Sequence, residues 1–164
     1  MTVMPVLTWP DARLRETALA VGAVDDALRT LAVDMLETMY AAPGRGLAAT
    51  QVGVMQRLFV MDVTWKDGAP RPYVCIDPEI IDPSPDLVTR TEGCLSLPGI
   101  PAEVARPGAV TLRWTGLDGA RHEERLTGFA ATCAQHEVDH LDGRLCVDLL
   151  APAARATLDP ALFA

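Results

Sequence analysis

Residues 135–140 read Gln-His-Glu-Val-Asp-His, and the spacing within this stretch decides where the chemistry of the chain sits. On an α-helix, at 3.6 residues per turn, positions i and i+4 share a face, so His136 and His140 can direct two imidazoles at one point. Glu137 lies about 100° further round the helix, close enough to hold a water at that point and take its proton. The chain has only three histidines, and two of them fall in this frame. Working outward, Thr127 is placed to cap a helix over Gly128 to Leu141, which ends near Gly143.

Two imidazoles need a third protein ligand. No glutamate follows Glu137, which removes a downstream carboxylate. The longer HExxHxxGxxH pattern is followed as far as Gly143 but ends on Cys146, and no methionine follows Met61 to supply the turn that pattern requires. Cys146 sits in RLCVDLL, whose apolar spacing predicts a strand, and Cys133 in GFAATCAQH predicts core packing. Cys94, among the polar neighbours of TEGCLSLPG, remains. Two histidines and a thiolate leave a fourth position for water or substrate, the layout of a catalytic metal site. Such a ligand set suits iron and zinc alike.

Elsewhere, apolar residues recur at helical spacing from Val24 to Tyr40, with Asp25 or Asp26 as the N-cap. A glycine-punctuated segment, GRGLAATQVG, follows at 44–53. Arg57 to Thr64 and Pro72 to Ile76 predict strands, and prolines 78, 83 and 85 mark a turn-rich passage. Val110 to Thr115 and Arg121 to Leu126 predict a hairpin through Asp118-Gly119. This order predicts an α+β fold with a mostly antiparallel sheet, in a single domain over residues 1–164. The formal charge of -8 argues against nucleic acid or an anionic membrane as partner. No apolar run approaches the roughly 20 residues of a membrane span, and the N-terminus lacks signal-peptide features, so a cytoplasmic protein with reduced thiols is expected.

Three segments together resemble the signature motifs of the peptide deformylase family, in the family's order and at similar spacing: GRGLAATQ at 44–51, EGCLS at 92–96 and QHEVDH at 135–140. The likeness runs from MPVLTWPDARLR near the start to about Asp148. It implies a metal held by Cys94, His136 and His140, and antiparallel sheets around a central helix that carries the HExxH ligands. It also implies ferrous iron as the native metal, with zinc, nickel or cobalt able to take its place. The implied reaction removes the formyl group from N-formylmethionyl peptides of newly made proteins. Glu137 would move the proton, while the Gln51 side-chain amide and the Leu95 N–H would stabilise the oxyanion. The Gly46 backbone would pair with the extended peptide, and residues 45, 90, 129 and 132 would lie at the pocket for the methionine side chain.

Several of these positions depart from the family pattern. Arg45 and Arg90 stand where aliphatic residues are usual, and Thr132 replaces what is often an apolar residue, while Phe129 is a further substrate-binding candidate. A desolvated, unpaired guanidinium would be too costly, so a more polar pocket is expected, one that favours an acidic group. The tail after Leu150 has Arg155 as its only basic residue, so the basic ribosome-contacting helix of some family members is missing and ribosome docking is not expected. Two other readings stay open at this point: an amidase for a different N-acyl substrate, and a non-catalytic metal- or peptide-binding paralogue.

Overall fold

A computed structural model describes residues 2–163. The first long helix, α1 (Asp26–Ala41), starts where the Asp25 side chain accepts the Leu28 N–H at 2.8 Å. It buries Leu28, Ala32, Met35 and Met39 along one stripe. Pro43 and Gly44 stop it, the Gly44 N–H closing back on the Met39 carbonyl. The chain then forms β1 (Gly46–Ala48), a single 3-10 turn (Ala49–Val52) and β2 (Leu58–Met61). Next come β3 (Tyr73–Ile81), β4 (Leu87–Glu92), β5 (Ala102–Pro107), β6 (Ala109–Thr115) and β7 (Arg121–Thr127). The second long helix, α2 (Gly128–Leu141), leads into a 3-10 turn (Cys146–Leu149) and a short tail.

Five strands form one antiparallel sheet in the order β1-β2-β3-β6-β7, and β4 pairs with β5 as a separate ribbon. All four residues of β2 are buried, because the sheet is covered on both faces here. Alternation sends Leu58 and Val60 into the core with Met35 and Met39 of α1, and Phe59 and Met61 into the core with Ala131, Ala134 and Leu141 of α2. Each such side chain contributes about 1.5–3 kcal/mol by leaving water. A third cluster joins Cys94, Leu97, Ala102 and Val104 to Leu145, Cys146 and Val147, and so holds the β4–β5 ribbon against the segment after α2.

The α+β class, both helices and the β6–β7 hairpin agree with the sequence reading, with helix and strand ends moved by a few residues. Three points differ. Cys146 lies in a 3-10 turn rather than a strand: Leu145, Cys146 and Val147 are buried in succession, which a one-faced strand does not allow, and Asp148 accepts the Leu145 N–H at 2.9 Å. Strand β3 runs on through Pro78, because the register shifts between Ile76 and Glu79 and the missing N–H falls at that irregularity. The β4–β5 ribbon had no counterpart in the reading of strands. Among the described residues no helix is long and apolar enough to cross a membrane.

Candidate metal centre

Helix α2 passes behind β1, and the chain leaving β4 turns across it, so three distant segments meet. The Cys94 Sγ lies 3.3 Å from His140 Nε2, which lies 3.2 Å from His136 Nε2. A tetrahedral ion with bonds of about 2.05 Å to nitrogen and 2.3 Å to sulfur requires N···N near 3.3 Å and N···S near 3.6 Å. The three donor atoms therefore fit a single divalent cation. Cys94 and His140 are buried and His136 nearly so. A second triplet, Glu92, His136 and Cys146, is also compact, but Glu92 is already committed to other partners. Burial pushes the Cys146 thiol up to about 11, away from the thiolate a ligand needs.

The orientation of His136 is set from outside. Its Nδ1 donates to Glu92 Oε1 at 2.8 Å, which turns the Nε2 lone pair toward the other ligands. Glu92 also takes both Nε–H and Nη2–H of Arg106, at 2.6 and 3.0 Å, and Arg106 reaches on to Asp139 at 2.8 Å. Burial alone would raise the Glu92 carboxyl, but the bonds from His136 and Arg106 hold it below the usual range. Burial would likewise lower the His136 pKa; the bonds to Cys94 and Glu92 and the charge of Glu137 raise it instead. His140 is pushed well down by burial, with the charges of His136 and Arg106 acting in the same direction. An imidazole kept neutral is what coordination requires.

Glu137 is buried, and its Oε2 finds no hydrogen-bond partner among the described residues. A buried carboxylate oxygen left unsatisfied is costly, which marks a position meant for a water or a substrate atom. Burial, aided by Glu92 and opposed by His136, pushes the Glu137 carboxyl up to about 7. That value suits a group that first accepts and then returns a proton near neutrality. Gly46 makes the approach possible: a Cβ there would lie 2.8 Å from both Glu137 Oε2 and Cys133 Sγ.

Gln51 is also buried beside the ligands. Its Oε1 accepts the Ala48 N–H at 3.0 Å, so its amide NH2 is turned toward Ser96 Oγ at 3.0 Å and Cys94 Sγ at 3.8 Å. Leu95 sits between Cys94 and Ser96 in a turn closed by the Leu97 N–H on the Cys94 carbonyl. Thr132 is buried on α2 one turn before His136, and Phe129 is 40% exposed at the start of that helix. Arg45 turns to the loop after β2, paired with Asp67 and stacked over Phe129, while Arg90 lies half-buried on β4 and shares neither contact. The two arginines thus have separate surroundings. Sequence reasoning gave no role to Glu92, Arg106 or Ser96, though Glu92 and Ser96 flank Cys94 within EGCLS. Asp139 joins this group from α2 through its bond with Arg106.

A sheet-backed helix carrying HExxH, with a cysteine sulfur delivered from a separate ribbon and an unpartnered carboxyl oxygen beside it, defines a metallohydrolase. The polypeptide deformylase family pattern matches residues 3–156, and the chain belongs to that family. It is similar to a peptide deformylase of Rhizorhabdus wittichii, 49% identical over 160 residues covering 94% of this chain and 90% of the relative. One from Alkalilimnicola ehrlichii is 50% identical, covering 94% of this chain and 86% of the relative. Among solved structures, a peptide deformylase from Legionella pneumophila superposes with TM-score 0.88 at 40% identity, covering 95% of this chain and 90% of that one. Another, from Ehrlichia chaffeensis in complex with actinonin, gives TM-score 0.89 at 38% identity, covering 96% and 94%.

Proposed function

We propose that the chain hydrolyses the formamide of N-formylmethionyl peptides from newly made proteins, releasing formate. The single observation that carries this reading is the unpartnered Glu137 Oε2 beside three convergent ligand atoms. Cys94, His136 and His140 would hold one divalent ion, with ferrous iron as the native metal by family resemblance and zinc, nickel or cobalt as substitutes. When bound, that ion supplies Lewis-acid polarisation and lowers the pKa of a water from 15.7 toward about 7. Glu137 takes the proton of the attacking water and returns it to the leaving amine. The Gln51 amide and the Leu95 N–H donate to the oxygen on which negative charge develops; one such donor is typically worth about 2.7–4 kcal/mol. The Gly46 backbone pairs with the peptide, Phe129, Thr132 and Arg90 lie toward the side chain of its first residue, and Arg45 lies further along the same cleft. The peptide is met in the cytoplasm, and no docking on the ribosome is part of this reading.

Formate release from formyl-Met-Ala-Ser by protein loaded anaerobically with ferrous iron tests the reading. Turnover that is lost on chelation and restored by metal is expected. Metal-loaded protein that releases no formate would overturn it.

A further inference from the structure

Arg45 is half-buried at the start of β1, and its surroundings explain how a guanidinium is tolerated there. Its Nη2 pairs with Asp67 at 3.1 Å, and its Cζ lies 5.5 Å from the centre of the Phe129 ring. Its Nε is buried with no hydrogen-bond partner among the described residues. Asp67 is 79% exposed, so the pair is open to solvent on one side and weak. The loop carrying Asp67 is fixed beside Arg45 independently of that pair, by the Trp65 Nε1–H on the Gly44 carbonyl and the Asp62 N–H on the Arg45 carbonyl.

The position of Arg45 along the cleft follows from strand geometry. β1 is an edge strand, paired only with β2. Its C-terminal end leads into Gln51 beside Cys94, and its N-terminal end leads back through Arg45 to Gly44. A peptide added antiparallel to the free edge, with its formyl group at the ligands, runs outward past Gly46 and then past Arg45. Resting on the deformylase reading of the same site, we infer that Arg45 is a specificity-determining residue that recognises a carboxylate side chain one or two residues downstream of formylmethionine, with Asp67 holding its place when no such substrate is present. A planar guanidinium whose side chain is 32% exposed and which pairs with one carboxylate through Nη2 alone is suited to take a second carboxylate. Exchange of a solvent-exposed partner for a substrate carboxylate costs little. This places the acid preference downstream of the methionine pocket instead of within it.

The test compares kcat/KM of the metal-loaded protein for formyl-Met-Glu-Ser and formyl-Met-Ser-Glu with the corresponding glutamine peptides. A preference of about threefold to fivefold for at least one glutamate peptide at low salt is expected, shrinking as ionic strength rises. Asp67→Asn removes the competing carboxylate and should widen the ratio. Arg45→Leu should bring it to one, and Arg45→Lys should keep part of it, which separates charge recognition from a folding defect. Equal rates for glutamate and glutamine peptides in the unmodified protein, or a preference that survives Arg45→Leu, would overturn the inference while turnover of formyl-Met-Ala-Ser still upheld the deformylase reading. Absence of turnover with every formyl peptide would overturn both.

Discussion

Gly46 lies so close to Glu137 that a Cβ on it would stand 2.8 Å from the carboxylate Oε2, with Cys133 Sγ equally near on the same side. The edge strand and the HExxH helix are thus in contact through backbone on one side and the Glu137 carboxylate on the other. Gly46→Ala must displace Glu137, Cys133 or the strand itself. Misplacement by about 1 Å in such a site can cost about 10²-fold in rate. We expect kcat/KM to fall by about 10²-fold, with a stability loss of about 1–3 kcal/mol from overpacking. Steady-state formate release and urea unfolding of the two proteins measure both quantities.

The buried path Asp139–Arg106–Glu92–His136 predicts opposite balances of damage for two substitutions. Glu92→Gln keeps the volume but weakens the hold on His136 Nδ1, and should cost about 10–100-fold in metal affinity or activity. Arg106→Leu leaves the Glu92 carboxylate buried without its guanidinium, and should cost about 3–5 kcal/mol of stability. Chelator competition and denaturant unfolding of both variants distinguish these outcomes.

Asp62 predicts a pH-dependent contribution to stability. Burial alone would raise its carboxyl, but the Tyr40 hydroxyl at 2.7 Å and the N–H groups of Arg71 and Thr64 hold it below the usual range. A depressed folded-state pKa gives stability that is present above the unfolded value of about 3.9 and lost as pH falls through the lower folded value. Asp62→Asn should therefore destabilise by about 1–3 kcal/mol at pH 7, and the difference from the unmodified protein should shrink toward pH 3. Urea midpoints across that range would show it; a difference independent of pH would contradict the assignment.

The helices and the two histidines of the candidate centre were legible in the sequence because each has a local signal. The apolar stripe of α1 begins just after an Asp cap, and His136 and His140 stand at helical spacing. Cys94 was reached by elimination before the resemblance to the family supported it. The β4–β5 ribbon was hidden for a physical reason: its inward positions include Glu92 and Arg106, whose mutual pairing satisfies charges that a sequence pattern reads as surface. The same ribbon sets His136, so the part of the site least visible in the sequence is the part that orients a ligand. Cys146 was misplaced because apolar residues in succession imitate a strand when the turn capped by Asp148 cannot be seen. The direction of Arg45 depended on Asp67, which lies 22 residues away in a loop no periodicity describes.

The central claim is that Glu137 moves the proton and holds no metal, while Cys94, His136 and His140 hold the metal and move no proton. Glu137→Gln tests it most directly when metal content and formate release from formyl-Met-Ala-Ser are measured on the same preparation. The account predicts one metal per chain retained and kcat lowered by about 10²–10⁴-fold. Unchanged turnover in Glu137→Gln, or loss of the metal together with the activity, would contradict it.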